Sequence, residues 1–486
     1  MNDSNKQMKY SVISGLFWKF AERMSSQLVS VIVTIILARL LMPSDYGTVT
    51  LVTIFITIAN VFVNDGFGVA LIQKKDADGL DFSSVFYFGI AFSTFLYLVI
   101  FFGIAPLVAS FYKMPILVPV LRVLALQLPV AAVNSVQQAY VSRNMIFKKF
   151  FYSTTIGTLI SAIIGIGMAY FGMGVWALVA QYLSNTIINT FTLRTIIEWR
   201  PKLEFSFERL RGLFRFGWKL LIQSLMVTIY GNLRSLVIGK VYSAKDLAYY
   251  DRGSYYPNLI VVNVDAAMSS ALFPAMSHEQ ASVERVRAIT RRAIKMSSYI
   301  MSPLLVGFAA CGTTFVSVLL TDKWLPIVPF LQIICINLLF RPAQTASLQA
   351  IKAIGRSDLV LKMDIPIRIF GLASLIVTVR FGTIYIAFSE VLVGILGVIL
   401  YSIGCNKTIG YKLKDLYWDF ASNVLQALVM GAAVFGIGYL QINKILLLLL
   451  QLIVGGFVYV LVNVICKNEN FNYLVSTAKE LSLIHI

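Results

Sequence analysis

Long apolar runs punctuate the chain at intervals, near residues 12–38, 47–72, 82–110, 116–142, 150–170, 175–196, 216–240, 253–275, 293–320, 327–351, 363–380, 383–403, 417–440 and 443–465. Each approaches or exceeds the ~20 residues that an α-helix needs to cross the hydrocarbon core of a bilayer. None shows the ten-residue alternation of a barrel strand. Backbone groups inside lipid must be satisfied within their own segment, so the runs predict helices. The pattern reads as an all-α polytopic membrane protein with about 14 transmembrane helices. The close pair at 363–403 and the glycine-broken stretch from Gly165 to Gly174 are the least regular.

Composition sharpens this. Of 486 residues, 58% are hydrophobic, the mean hydropathy is +0.79, and only 13% are charged, against roughly 25% in soluble domains. Soluble globular and disordered classes are excluded, and few residues remain for a folded domain outside the bilayer. The first run carries Lys19, Glu22 and Arg23, which argues against a cleaved signal peptide. Cys311, Cys335, Cys405 and Cys466 are far apart and lack metal or redox spacing, so they read as packing residues.

A net charge of +18 is unexpected on a chain poor in charge. Most of it reports topology. With the N-terminus inside, inner segments hold 27 of the 41 basic residues, from Lys6 and Lys9, through Lys74, Lys75, Arg143 and the seven between Arg194 and Lys219, to Lys467 and Lys479. Outer loops hold eight: Arg39, Lys113, Lys240, Lys245, Arg252, Lys323, Arg380 and Lys444. The positive-inside rule then puts both termini in the cytoplasm.

The two halves resemble each other at an offset near 200: Phe17-Trp18-Lys19 with Gly217-Trp218-Lys219, Pro43 to Gly47 with Ala244 to Ala248, and Pro119 with Pro329. Six spans separate the copies, which predicts parallel repeats about an axis along the membrane normal and a site between them. The expected organisation is an N-terminal lobe of spans 1–6 (1–197), a cytoplasmic amphipathic linker (198–215), a second lobe of spans 7–12 (216–404), and two extra spans with a cytoplasmic tail (405–486). The linker suits either an interfacial helix on an anionic leaflet or a simple basic connector. No role is evident for the tail after about Asn470.

The informative charges are the six basic residues inside spans: Lys19, Arg23, Arg122, Arg234, Arg341 and Arg368. A central Lys or Arg costs about 2.5–3.5 kcal/mol on insertion scales, so such groups usually face a wet cavity or a partner. Lys19, Arg23, Ser26, Ser30 and Thr34 share one helix face. Gln127, Asn134 and Gln138 form a second polar stripe, and Gln223, Tyr230 and Arg234 a third. Arg341 precedes Pro342, a kink signal, with Gln344 three residues on. Lys19, Arg23, Arg122, Arg234 and Arg341 are therefore candidate cavity cations, with Ser26, Gln127, Asn134, Gln138, Gln223 and Gln344 as polar wall. Snorkelling to an interface competes for Lys19, for the deeper Arg23 and for Arg122. Arg368 lies one turn after Asp364, which favours a local ion pair. Asp65, in Asn64-Asp65-Gly66, and Asp265 are candidates for ion coupling or gating, and a polar cap at the glycine break competes for Asp65. The set is net basic and suits an anionic cargo.

No Walker A loop, HExxH, Cys/His cluster or Ser/His/Asp arrangement occurs. No enzyme activity, metal or cofactor is expected, and no loop reads as a channel filter.

Leu37-Ala38-Arg39-Leu40-Leu41-Met42-Pro43-Ser44-Asp45-Tyr46-Gly47, Asn64 to Lys74, Ser142 to Phe147 and Ile238 to Tyr250 together resemble the Wzx/PST-type lipopolysaccharide and exopolysaccharide flippases. These belong to the multidrug/oligosaccharidyl-lipid/polysaccharide (MOP) superfamily, and the likeness covers essentially the whole chain. The fourteen-span form is similar to the exporters linked to colanic and teichuronic acid. The resemblance implies a bacterial inner membrane and an undecaprenyl-pyrophosphate-linked oligosaccharide carried from the cytoplasmic to the outer leaflet by alternating access. Membrane lipids and the polysaccharide polymerase and export machinery are the partners it suggests, and nucleic acid is not among them. A MATE-like ion-coupled antiporter of small molecules is the alternative, distinguished by the sign of the cavity charge and by the last two spans. A non-transporting partner of a glycan polymerase fits the hydropathy but not the cations inside spans.

Overall fold

A computed structural model of the chain describes residues 3–65, 67–74, 76–474 and 476; side chains are described from residue 14 onward, except Leu16 and Phe216. Gly66, Lys75, Lys479 and the last residues, Leu483 to Ile486, lie outside the described residues, as do the side chains of Lys6 and Lys9.

The described residues form eighteen α-helices, a further helical stretch at 469–474, and no strand. In chain order these are α1 (Asp3–Leu40), α2 (Pro43–Asn64), α3 (Phe67–Gln73), α4 (Gly79–Val99), α5 (Ala105–Tyr112), α6 (Leu117–Leu124), α7 (Gln127–Arg143), α8 (Phe147–Tyr170) and α9 (Val175–Ile196). They continue as α10 (Phe207–Val241), α11 (Ala244–His278), α12 (Val283–Leu319), α13 (Val328–Leu339), α14 (Arg341–Ala353), α15 (Ser357–Thr378), α16 (Thr383–Ile409), α17 (Leu413–Ile437) and α18 (Lys444–Ile465). A π-turn (Ile100–Ile104) joins α4 to α5, and a 3-10 turn (Asp322–Ile327) precedes α13.

Among the described residues, twelve helical segments are long and apolar enough to cross a membrane. All fourteen expected runs are helical, so the difference lies in composition rather than in shape. The two outside the twelve, α9 and α15, are each 22 residues long. The first carries Gln181, Asn185 and Asn189, and the second Asp358, Lys362, Asp364 and Arg368. Such residues lower the mean hydropathy of a helix, and α9 packs on α8, α7 and α2.

Four of the twelve segments are built from broken helices: Pro43–Gln73, Gly79–Tyr112, Leu117–Arg143 and Asp322–Ala353. The fourth and tenth spans both break near mid-length, at 125–126 and at Phe340, places that correspond in the expected repeat. Proline follows each break, Pro129 and Pro342, and early helix positions tolerate its missing N–H.

The chain divides into two compact units, one running to Ala248 and the other from Tyr249. In the first, Leu51, Leu71, Leu117, Leu121, Leu124 and Leu178 are fully buried. In the second, Trp324, Leu331, Ala346, Ile351, Cys405 and Tyr411 fill the interior. Phe102, Leu107, Ile163 and Phe171 on the first unit, and Ile376, Ile453 and Phe457 on the second, are exposed, as expected of surfaces solvated by lipid.

The 198–215 stretch is not a separate helix. Residues 197–206 are irregular, and Phe207 to Arg215 are the first turns of the 35-residue α10. Ser206 caps that helix, its Oγ accepting the Arg209 N–H at 3.4 Å. Ser83 and Ser84 pin the connection to α4, their Oγ atoms accepting the Lys202 N–H at 3.1 Å and the Ser206 N–H at 2.9 Å. These bonds group α10 with the first unit. All four cysteines are free; Cys311, Cys335 and Cys405 are buried as expected, whereas Cys466 is exposed.

Candidate functional site

In the second unit the break before α14 fixes the clearest intramembrane charge. Arg341, at the head of α14, donates from Nε to Oδ2 of Asp265 on α11 at 3.3 Å. Thr345, one turn further along α14, donates its hydroxyl to Oδ1 of the same carboxylate. The Asp265 side chain is 20% exposed and that of Arg341 is 52% exposed. The carboxylate is thus held from one helix, while the guanidinium keeps half its surface open.

Asp364 on α15 accepts the hydroxyl of Tyr401 on α16, and both Arg368 and Arg341 lie within electrostatic reach of that phenol. The cluster sets two cations against two carboxylates. What sets the cluster apart is therefore the exposure of Arg341, not excess charge. Gln344 turns elsewhere: its Nε2 donates to the Gly394 carbonyl of α16 at 2.8 Å.

The first unit distributes its cations differently. On α1, Lys19 and Arg23 are exposed, and Lys19 sits 5.8 Å from the centre of the Phe147 ring. Both act electrostatically on the half-buried Glu22. Ser26, a turn further along, is half-buried, and its hydroxyl has no partner among the described residues. On α10, Arg234 is half-buried and Gln223 exposed.

Arg122 has a structural task that sequence spacing does not reveal. Its Nε donates to the Phe101 carbonyl at 3.0 Å, and the guanidinium lies 4.3 Å from the Phe101 ring centre. At the end of the π-turn the Ala105 N–H reaches back five residues, to the Ile100 carbonyl. Residue 106, which would serve Phe101 in that register, is Pro106 and has no N–H. Arg122 supplies the missing donor.

Gln127 accepts the Thr186 hydroxyl of α9 at 3.4 Å. Asn134 is buried, with no partner for Oδ1 among the described residues, and Gln138 is half-buried. The sequence reading missed Gln137, which is fully buried with neither amide atom paired among the described residues. It lies three residues from Asn134, the other helical spacing that keeps a face. Asp65 is the C-terminal cap of α2, its N–H donating to the Val61 carbonyl, at the helix break that Asn64-Asp65-Gly66 predicts.

Two further arrangements tie helices of the first unit together. At the end of the spans away from the basic loops, α2 and α5 meet α10 and the head of α11. A Cβ on Gly47 would lie 1.7 Å from the Ala244 carbonyl oxygen, and one on Gly239 would lie 2.5 Å from Leu51. The Tyr112 hydroxyl donates to the Leu236 carbonyl at 3.2 Å, and Lys240 donates to the Phe111 carbonyl. At the basic-loop end, the buried Asp81 is bridged to Lys74 at 2.6 Å and to Arg209 at 3.6 Å. The Asp81 backbone N–H, with Arg209 adding to it, holds the Asp78 carboxyl below its ordinary range.

Comparison with known proteins fits this architecture. Residues 36–329 match the family described as "Polysaccharide biosynthesis protein". Over 362 residues, 74% of this chain and 73% of the relative, the sequence is 21% identical to lipopolysaccharide biosynthesis protein WzxC of Escherichia coli K12. A membrane protein from the cps region of Klebsiella pneumoniae is 23% identical over 95% of this chain and 96% of its own. Among solved structures, the lipid II flippase MurJ in an inward closed conformation superposes with a TM-score of 0.74 at 16% identity, covering 93% of this chain and 98% of MurJ. A multi-pass helical chain with this fold, matched over more than half its length, belongs to the polysaccharide biosynthesis protein family of membrane proteins.

Proposed function

We propose that the chain flips a polyprenyl-diphosphate-linked oligosaccharide across a bacterial inner membrane by alternating access, with the basic loops and both termini in the cytoplasm. The observation that carries this reading is Arg341. A guanidinium inside a span is costly, yet here one is fixed by Asp265, itself held by the Thr345 hydroxyl, and left half open. Arg341 presents a planar fork of donors suited to a diphosphate. Arg23 and Arg234 are its proposed counterparts on α1 and α10, and exposed Lys19 adds to the field near the entry side. Gln127, Asn134 and Gln138 would receive sugar hydroxyls.

Moving a diphosphate and a sugar chain bare through hydrocarbon would forfeit their hydration. A hydrated path lined by fixed donors lowers that cost while the polyprenyl chain remains in lipid. An inside-negative potential assists, by about 2.3 kcal/mol per anionic charge moved outward per 100 mV, so two charges gain roughly 4.6 kcal/mol without ATP. Release requires the seam of α2 and α5 against α10 and α11 to open. The proposed moving lobes are 1–197 and 216–404, with 198–215 between them in sequence and 405–486 appended. With the seam closed, α10 packs on the first lobe's helices. A glycan polymerase is the proposed consumer of the product.

Purified protein in vesicles, loaded with a polyprenyl-diphosphate oligosaccharide in one leaflet, tests the reading. Protein-dependent appearance of the glycan in the other leaflet is expected, reduced about tenfold or more by Arg341→Ala or Arg23→Ala, as for loss of a charge-assisted contact. Unchanged flipping by folded variants would refute the role of these cations.

A further inference from the structure

In the second unit, the first turns of α12 carry Arg291, Arg292 and Lys295 on the same face as Ala288, a spacing of three, four and seven residues. Opposite stands the segment after α18, with Glu469 and Tyr473. The two enclose a pocket of about 490 Å³.

The segment is built in, not draped. Asn468 donates to Gln426 at 2.7 Å, and Asn423 donates to Ser298 at 2.8 Å and to the Lys295 carbonyl at 3.0 Å. Beneath the pocket, Asp419 of α17 is 4% exposed and takes the Arg291 fork at 2.7 and 3.0 Å. Lys295 reaches Asp419 at 3.5 Å and Glu469 at 3.1 Å. Arg292 is different. Its guanidinium lies 4.0 Å from the Tyr473 ring centre, and its N–H donors make no hydrogen bond among the described residues. This cation–π contact holds the guanidinium against the ring without using its N–H donors. Ile289 and Met296 complete an apolar flank.

With Asp419 and Glu469 offsetting Arg291 and Lys295, Arg292 leaves the pocket net positive; aromatic-backed, with an apolar flank, on a helix about to enter the apolar layer, it has the chemistry of a lipid phosphate site. We propose that this pocket binds the phosphodiester headgroup of an anionic phospholipid, with Arg292 as principal donor, Arg291 and Lys295 adding charge, and acyl chains running along Ile289 and Met296. The inference does not depend on the transported cargo. It does rest on the basic-loop end lying at a lipid–water interface.

The test is binding of phosphatidylglycerol to the purified protein in neutral detergent, by native mass spectrometry and thermal shift, against phosphatidylcholine and inorganic phosphate. Phosphatidylglycerol should bind and stabilise, whereas phosphatidylcholine and phosphate at equal concentration should not. Arg292→Ala should weaken binding roughly tenfold or more. Arg285→Ala, at an exposed cation paired with Glu279 outside the pocket, should leave it unchanged. Arg292→Gln removes the charge with less loss of side-chain length, so it covers the case of a misfolded alanine variant. Equal binding of phosphatidylcholine, equal stabilisation by free phosphate, or unchanged lipid binding by both Arg292 variants would overturn the proposal. Flipping activity is not the readout, so failure here is distinguishable from failure of the transport reading.

Discussion

The Arg341–Asp265 pair invites a double-mutant cycle, because stability and transport should respond to it in opposite patterns. At 3.3 Å two unit charges attract by about 5 kcal/mol at an effective dielectric near 20. That gross figure needs discounting, because half of the Arg341 side chain is open. Exposed pairs contribute about 0.2–1 kcal/mol, whereas stripping one partner from a buried pair costs about 3–5 kcal/mol. Asp265, 20% exposed, falls between. Arg341→Ala should therefore cost about 2 kcal/mol by stranding the carboxylate. Asp265→Asn should cost about 1 kcal/mol, since an amide oxygen still accepts the Thr345 hydroxyl and Arg341 can turn to water. The double variant should be more stable than Arg341→Ala alone, because no charge is stranded. Transport should not follow this order. Asp265→Asn should flip lipid-linked glycan at least as well as the parent, freed from a competing carboxylate. Arg341→Ala and the double variant should both be impaired. Denaturation in detergent and flipping in vesicles, measured on the same preparations, give the cycle. If the double variant regains both stability and flipping, Arg341 serves only to neutralise Asp265, and the cargo-binding argument fails.

Arg122→Ala should behave otherwise. Leaving the Phe101 carbonyl without its donor should destabilise the protein by about 1–3 kcal/mol, with flipping per folded molecule unchanged; lost flipping at intact stability would return Arg122 to the transport path. A Leu51→Cys/Gly239→Cys pair in a Cys466→Ser background should cross-link on oxidation, stop flipping, and recover on reduction. Full activity of the cross-linked form would mean that the seam is not a gate. Removing the helix cap with Asp78→Ala should cost about 1 kcal/mol. Because the folded carboxyl titrates below its ordinary value, its contribution is present above the unfolded pKa of about 3.9 and lost as pH falls through the folded one. Parent and variant should therefore converge in acid, and a difference that persists well below pH 3 would contradict the capping role.

The helices were legible because lipid demands internal hydrogen bonding and leaves a long apolar signature. The exceptions are informative: α9 and α15 are of spanning length but carry polar residues, some of which, such as Asn189 and Asp364, have partners on neighbouring helices. The helix break at Phe340 was foreshadowed by Pro342, whereas the one at 125–126 was not read from the sequence, although Pro129 follows it. What stayed hidden were partners remote in sequence. Asp265 and Arg341 are 76 residues apart, and each reads alone as an ion or cargo group. The role of Arg122 depends on Pro106 and on a π-turn whose register no periodicity announces. Gln137 was passed over in favour of Gln138, since spacings of three and four are equally helical. Tyr473 lies in a segment with no hydrophobic pattern, and only its contact with Arg292 gives it meaning.

The central claim is tested most directly by leaflet exchange in sealed proteoliposomes of known protein orientation. With polyprenyl-diphosphate oligosaccharide confined to the cytoplasmic-side leaflet, the account predicts transfer that requires the protein, needs no ATP, and accelerates when a potential negative on the cytoplasmic side is imposed. Transfer no faster than in protein-free vesicles, or transfer slowed by that potential, would contradict it.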